Sequence, residues 1–295
     1  MDINLHYHPE KNWMNDPNGL CFFNGLFHIY YQYNPYGNKW GNISWGHATT
    51  KDFINYTEEN VVLKCDMEYD KDGCFSGNSI IIDDVLYVYY TSVSNGGQTQ
   101  SVAYSKDGYN FIKYEKNPII ATPFEARDPY VFMYKKELYM LLGTQNKVML
   151  FKGKNPFEFE YISDLIVANE FIECPNLVDL GHTFLFKFSS MKTRTDRFFI
   201  GDFDGLKFKA KEEVKLNLPN NYYASQIFNY KKSNILICWI FNKDYKTDKP
   251  YNGILSIPRI VEYKDKKVVT KPYLTLEKYL ENDKIIDIET LEEFK

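Results

Sequence analysis

The chain has 295 residues, of which 44% are hydrophobic and 25% are charged, and its formal net charge is −4. This apolar content is enough for a large core, so the composition argues against a disordered or fibrous protein. A weak negative charge without a block of lysines argues against a nucleic-acid partner. Aromatic side chains make up 17% of the residues, and such residues favour β-strands and flat sugar-binding walls.

The N-terminus and the cysteines bear on location and cofactors. Residues 1–6 lack a basic start followed by an apolar run, and no stretch reaches the roughly 18 apolar residues of a membrane helix. We therefore expect a cytoplasmic protein without a membrane partner. The five cysteines are widely spaced and lack CxxC pairs, so we expect reduced thiols and neither a metal nor a cofactor.

Five predicted β-hairpins follow one another along the chain. Each consists of an apolar segment, a short polar turn and a second apolar segment. In the first hairpin, Asn24 and Gly25 supply the positive φ angles of a type I′ turn. The hairpins cover residues 19–31, 79–90, 130–142, 176–188 and 226–239.

The spacing of these hairpins indicates the fold. Their second strands start every 45 to 60 residues, and a four-stranded propeller blade needs about 40–50 residues. The spacing therefore predicts an all-β fold, a five-bladed β-propeller over residues 1–262, followed by a short tail at 263–295. A β-sandwich with a coincidental rhythm is the alternative.

Carboxylates recur at similar positions in the predicted blades. Counting ten residues back from each second strand gives Asp16, Ser76, Asp128, Glu173 and Ala224. Because the first strand of each blade lines the central channel, these positions are expected to converge on one funnel. Paired carboxylates are what glycoside hydrolysis requires, although an Asp before Pro, taken singly, more often only starts a turn.

The residues around these acids form several motifs in chain order. Trp-Met-Asn-Asp-Pro-Asn-Gly occupies 13–19, and Phe-Ser-Gly at 75–77, Arg-Asp-Pro at 127–129 and Glu-Cys at 173–174 follow. This set resembles glycoside hydrolase family 32, which includes invertases, inulinases and levanases, over about residues 8–259. The resemblance implies a five-bladed propeller, in agreement with the number of hairpins.

The resemblance also implies a role for each acid. Asp16 would attack the anomeric carbon of a fructosyl unit and form a covalent fructosyl-enzyme. Glu173 would protonate the leaving oxygen and then activate water as a general base. Asp128 would stabilise the transition state without reacting.

The resemblance further implies that eight other residues contact the sugar. They are Asn15, Gln32, Trp40, Phe75, Ser76, Arg127, Tyr223 and Trp239. The polar side chains would bind or position hydroxyls, and the rings of Trp40, Phe75 and Trp239 would form apolar walls. Each of these residues also fits a core-packing role, and Trp239 fits both roles about as well.

The predicted function is hydrolysis of sucrose or sucrose 6-phosphate by a retaining β-fructofuranosidase. The alternatives are an exo-acting inulinase or levanase on fructans and a non-catalytic sugar-binding propeller. Family members usually carry a C-terminal β-sandwich, and only the short tail is expected here. An apolar flank would then be exposed, which predicts lower stability or self-association.

Overall fold

A computed structural model describes residues 5–216, 218–241 and 247–273. Within these ranges all regular elements are β-strands, 23 in number, which confirms the all-β prediction. The same ranges contain no helix with the length and apolar character needed to cross a membrane.

The strands form five sheets, which follow one another along the chain as blades 1 to 5. Blade 1 contains β1 (Asn12–Phe23), β2 (Leu26–Asn34), β3 (Ser44–Thr50) and β4 (Tyr56–Leu63). Blade 2 contains β5 (Gly73–Ile82), β6 (Val85–Ser94), β7 (Gly97–Ser105), β8 (Ile112–Lys113) and β9 (Ile120–Ala121). Blade 3 contains β10 (Ala126–Tyr134), β11 (Glu137–Thr144), β12 (Lys147–Asn155) and β13 (Glu158–Val167).

The last two blades complete the ring. Blade 4 contains β14 (Ile172–Asp179), β15 (Phe184–Ser190), β16 (Thr195–Phe203) and β17 (Phe208–Val214). The remaining strands are β18 (Tyr222–Tyr230), β19 (Ser233–Ile240), β20 (Tyr251–Asn252), β21 (Ile254–Leu255), β22 (Arg259–Lys264) and β23 (Lys267–Pro272). Of these, β20 joins blade 1, and the other five form blade 5.

The predicted hairpins are the two innermost strands of each blade. They are β1–β2, β5–β6, β10–β11, β14–β15 and β18–β19, and each pair is antiparallel. In the first turn Asn24 and Gly25 have φ angles of 48° and 85°, as a type I′ turn requires. The hairpin prediction is therefore confirmed.

Apolar side chains fill the space between each pair of neighbouring blades. One cluster joins Phe27 and Ile29 of blade 1 to Ile235 of blade 5, and four others join blades 1–2, 2–3, 3–4 and 4–5. Five interfaces between five sheets require a closed ring, because the last blade packs on the first. The prediction of a five-bladed β-propeller is confirmed.

The ring is also closed by backbone hydrogen bonds. In β20, Tyr251 and Asn252 pair in parallel with Asn12 and Trp13 of β1. The amide of Leu255 donates to the carbonyl of Tyr7, at 2.8 Å. Segments from the two ends of the described chain therefore meet beside the innermost strand of blade 1.

The C-terminal limit of the propeller differs from the expected one. The β23 strand pairs with β22 along its whole length, from Arg259–Pro272 to Lys264–Lys267. The expected boundary after residue 262 falls inside β22, and blade 5 extends instead to Pro272 because it needs both outer strands. Residues 274–295 of the expected tail lie outside the described residues.

Candidate active site

A bulge interrupts the innermost strand of every blade at the same level of the ring. The pairing with the second strand shifts between Met14 and Pro17, and at four matching positions. These are Cys74/Gly77, Arg127/Tyr130, Glu173/Asn176 and Tyr223/Gln226. Bulges re-aim side chains and are frequent beside active sites.

The three acids occupy successive positions of this bulge, not one shared position. Glu173 precedes the shift in its strand, Asp128 is the first residue inside the shift, and Asp16 is the second. Counting ten residues back misaligned them because the innermost strands differ in length beyond the bulge. Asp128 has a φ angle of 60°, an uncommon conformation for a non-glycine residue that aims its carboxylate inward.

One cavity of about 810 Å³ lies at the bulged end of the central channel. Its lining includes all of the predicted site residues, which are Asn15, Asp16, Gln32, Trp40, Phe75, Ser76, Arg127, Asp128, Glu173, Tyr223 and Trp239. The lining also includes four residues that were not predicted, namely Trp13, Lys39, Arg194 and Asn252. The fold thus brings residues from all five blades to one site.

Asp16 is held by neutral donors. Its Oδ1 accepts from the Asn15 amide at 2.9 Å, and its Oδ2 accepts from the Ser76 hydroxyl at 2.6 Å. The indole of Trp13 donates to Asn15 Oδ1 at 2.8 Å, which turns the Asn15 NH₂ group toward Asp16. Burial raises the pKa of Asp16, while the bonds from Ser76 and Asn15 oppose that rise. Both of these donors to Asp16 are therefore uncharged.

Glu173 has two donors of a different kind. Its Oε1 accepts from Arg127 Nη2 at 3.0 Å, and its Oε2 accepts from the Tyr223 hydroxyl at 2.5 Å. Burial and the charge of Glu173 both raise the pKa of Tyr223, so the phenol stays protonated and remains a donor. The guanidinium of Arg127 lies 3.9 Å from the ring centroid of Phe171, which fixes its position.

Asp128 is the most enclosed of the three acids, with 6% of its surface exposed. Its backbone amide donates to the Thr91 hydroxyl at 2.9 Å, and its Oδ2 accepts from the Cys174 amide at 2.8 Å. Burial, and then the charge of Glu173, raise the pKa of Asp128 to about 7. Near neutral pH this carboxyl can therefore either donate to a sugar hydroxyl or accept from one.

A buried ion pair between Lys187 and Asp196 lies next to the site. Lys187 is fully buried, and its Nζ donates to the carbonyls of Cys174 and Ser225, at 3.1 and 2.5 Å. The same Nζ lies 3.6 Å from Oδ1 of Asp196, which also accepts from the Ser225 amide through Oδ2 at 2.9 Å. Lys187 thereby ties blade 4 to blade 5 beside Glu173, and its charge opposes the rise in the pKa of Asp16 that burial causes.

Aromatic rings form the upper walls of the cavity. Trp13 and Trp239 meet edge to face with centroids 5.9 Å apart, and they pack in one apolar cluster with Tyr223. The two sides of the wall differ in exposure: Trp239 is 7% exposed, whereas Trp40 is 59% exposed and contacts Phe75, with ring centroids 5.7 Å apart. Trp239 is therefore both a packing residue and a wall, and Trp40 stands at the mouth.

Two cations also line the cavity. Lys39 and Arg194 are exposed, and neither forms a salt bridge with another residue in the described part of the chain. The guanidinium of Arg194 lies 6.0 Å from the ring centroid of Tyr223. Among the residues of known placement, no group of three His, Cys, Asp or Glu side chains is arranged to hold a metal ion.

A closed propeller with three carboxylates and aromatic walls at one end of its axis is an arrangement typical of glycoside hydrolases. The family model for the glycosyl hydrolases family 32 N-terminal domain matches residues 6–272. The chain therefore belongs to glycoside hydrolase family 32.

Similar proteins of known identity come from bacteria and from an insect. A levanase of Bacillus subtilis is 32% identical over 88% of this chain and 44% of its own length. A sucrose-6-phosphate hydrolase of Zymomonas mobilis is 29% identical over 97% of this chain and 65% of its own. A variant β-fructofuranosidase of Bombyx mori, solved with sucrose, has 27% identity and a TM-score of 0.83, covering 94% of this chain and 67% of its own. The chain thus spans less than two thirds of the length of the two bacterial relatives.

Proposed function

We propose that this chain is a retaining β-fructofuranosidase, a glycoside hydrolase that releases fructose through a covalent fructosyl-enzyme. The observation that carries the proposal is the different hydrogen bonding of two acids in one cavity. Asp16 accepts from neutral groups only, whereas Glu173 lies between a cation and a phenol. Two carboxyl groups in distinct environments suit the nucleophile and the acid/base of a glycosidase.

In the first step, Asp16 attacks the anomeric carbon of the fructosyl unit. The bond from this carbon to the leaving oxygen breaks, and Glu173 gives its proton to that oxygen. Ser76 and Asn15 hold the attacking carboxylate in place. Pre-set donors of this kind avoid reorganisation during the reaction.

In the second step, water replaces the leaving sugar. Glu173, now ionised, takes a proton from the water, whose oxygen attacks the anomeric carbon and releases Asp16. Arg127 and Tyr223 donate to Glu173 and so stabilise its ionised form between the two steps. Two successive displacements at one carbon give retention of configuration.

The proposed role of Asp128 is to stabilise the transition state. Its carboxyl lies in the same cavity and is held by the Cys174 amide. A hydrogen bond that its ionised carboxylate accepts from a fructose hydroxyl would strengthen as positive charge develops on the ring. Asp128 does not form a bond to the sugar carbon.

Sucrose and sucrose 6-phosphate are the proposed substrates. The Bombyx mori structure contains sucrose and the Zymomonas mobilis relative is a sucrose-6-phosphate hydrolase. Lys39 and Arg194 line the cavity without carboxylate partners among the described residues, which favours an anionic leaving group. Likeness to a levanase makes the terminal fructosyl unit of a fructan the alternative substrate.

The test is fructose release from sucrose, sucrose 6-phosphate and levan. Wild type is compared with Asp16→Asn and Glu173→Gln, which keep the size of each side chain. We expect release from at least one of the two small substrates, and a loss of at least about 10³-fold in both variants. Folded wild type that binds sucrose but releases no fructose would instead identify a sugar-binding propeller.

A further inference from the structure

Two cysteines converge where blade 1 packs against blade 2. Cys65 follows strand β4, and Cys74 is the second residue of β5. The Cys65 thiol donates to the carbonyl of Ile43 at 3.1 Å, and the Cys74 amide donates to the same carbonyl at 2.7 Å. The Cys74 thiol donates to the carbonyl of Lys64 at 3.5 Å. Each thiol is therefore anchored beside the backbone of the other cysteine.

The two thiols differ in exposure and acidity. Cys65 is half-buried, whereas Cys74 is fully buried. The neighbouring Cys74 side chain lowers the pKa of Cys65 to about 7, while burial raises the pKa of Cys74. Near neutral pH an accessible thiolate thus lies against a protonated thiol, an arrangement typical of an attacking and a resolving cysteine.

Charged groups surround this pair. The charge of buried Asp70 partly opposes the lowering of the Cys65 pKa, and Lys113 lies 2.5 Å from the Asp70 carboxylate. Lys113 also contacts Asp66 at 2.6 Å and donates to the carbonyl of Lys64 at 2.6 Å. The positive charge of Lys113 therefore offsets the acids next to the thiols.

We propose that Cys65 and Cys74 form an oxidisable dithiol, a modification site in which a hydroperoxide converts Cys65 to a sulfenic acid that Cys74 closes to a disulfide. In the first step the Cys65 thiolate attacks one oxygen of hydrogen peroxide, the O–O bond breaks, and the other oxygen takes up a proton and leaves as water. In the second step the Cys74 sulfur attacks the Cys65 sulfur, its proton joins the departing hydroxide, and a second water leaves. The peroxide is reduced by two electrons and the two thiols are oxidised.

The disulfide would act on the active site through β5. Cys74 precedes Phe75, which lines the cavity, and Ser76, which donates to Asp16. The carbonyl of Cys74 accepts from Gln32 Nε2 at 3.1 Å. Drawing the two sulfurs to the disulfide length of about 2.05 Å would pull this strand at its bulge. This consequence rests on the proposed function, and we expect oxidation to lower fructose release several-fold.

The site itself is tested without reference to activity. The 295-residue wild type is treated with hydrogen peroxide, and peptides are mapped under non-reducing conditions. We expect a Cys65–Cys74 crosslink, a loss of two of the five thiols, and recovery with dithiothreitol. Cys65→Ser is expected to keep Cys74 reduced, and the control Cys21→Ala, which changes a buried cysteine elsewhere, to form the same crosslink.

The possible outcomes separate the two proposals. Wild type that keeps both thiols reduced under peroxide, or a Cys65→Ser variant that consumes thiols at the wild-type rate, would overturn the dithiol. A crosslink in a protein that never releases fructose would support the dithiol and refute the proposed function. A crosslink that leaves fructose release unchanged would overturn the coupling to β5.

Discussion

The hydrogen bond from Ser76 to Asp16 sets the pH at which the proposed nucleophile is ionised. The bond is 2.6 Å long and reaches Oδ2 of a carboxylate whose pKa is raised by burial. A hydrogen bond to a charged group contributes about 1.5–3 kcal/mol, and a tenfold change in an acid dissociation constant corresponds to about 1.4 kcal/mol. Ser76→Ala is therefore expected to raise the pKa of Asp16 and to move the acid limb of activity upward by about one to two pH units.

The sign of the effect on activity follows from the role of Asp16. The nucleophile must be ionised, so activity falls as pH drops through its pKa. Because Ser76 stabilises the ionised form, its removal moves this acid limb to higher pH. The activity of Ser76→Ala relative to wild type is expected to fall as pH drops through the limb, by about tenfold if the limb moves by one pH unit.

The assay is the pH profile of kcat/KM for fructose release, which reports groups of the free enzyme. Ser79→Ala is the matched control, because it removes a hydroxyl from the same strand whose bond, at 2.9 Å, goes to the carbonyl of Gly19 and not to an acid. An acid limb that Ser76→Ala leaves in place, or that Ser79→Ala moves as far, would refute the reasoning. Because Asp16 and Asp128 interact electrostatically, the acid limb reports both groups, and the comparison of the two variants isolates the contribution of the Ser76 hydroxyl.

Three further predictions concern the burial of Asp128, the buried pair of Lys187 and Asp196, and the two cations that line the cavity. Burial raises the pKa of Asp128 to about 7, so this residue lowers the stability of the fold only as pH rises above the unfolded pKa of about 3.9. Asp128→Asn is therefore expected to raise the melting temperature by a few degrees at pH 8 but not at pH 4. A lower melting temperature at pH 8 would contradict this. Lys187→Met leaves Asp196 buried without its cation and is expected to lower the free energy of unfolding by about 3–5 kcal/mol. The double variant Lys187→Met with Asp196→Asn is expected to recover part of this loss. An unchanged denaturant midpoint in Lys187→Met would contradict the prediction. Replacing Lys39 and Arg194 by Gln is expected to raise KM for sucrose 6-phosphate by about tenfold and to leave KM for sucrose unchanged, whereas equal changes for both would exclude an anion-binding role.

The fold was predictable because its signals are local. Turn residues such as Asn24 and Gly25 and the alternation of apolar residues lie within each hairpin, and their spacing indicates the number of blades. The closure of the ring was not predictable, because the paired strands β20 and β1 are separated in sequence by most of the chain. The extent of blade 5 to Pro272 likewise depends on pairing that no short segment encodes.

Some residues of the candidate site were predictable from the sequence, and others depend on how distant segments pack. Residues inside the motifs, such as Asp16 and Glu173, were found from the sequence, but the bulge positions that aim them depend on pairing with the second strands. Lys187 was missed because it is one polar residue in the alternating strand β15, with no sign of its burial. Arg194 was missed because a single cation in a turn carries no signal until the fold places it at the cavity.

The covalent fructosyl-enzyme is the central claim, and mass spectrometry tests it directly. The Glu173→Ala variant lacks the proposed base for the second step, so fructosyl fluoride, whose leaving group needs no acid, is expected to accumulate the intermediate. After acid quenching, the peptide that contains Asp16 is predicted to gain the mass of one fructosyl unit, and Asp16→Asn with Glu173→Ala to remain unlabelled. Label on another residue, or turnover of fructosyl fluoride by the Asp16→Asn protein at the wild-type rate, would contradict the account.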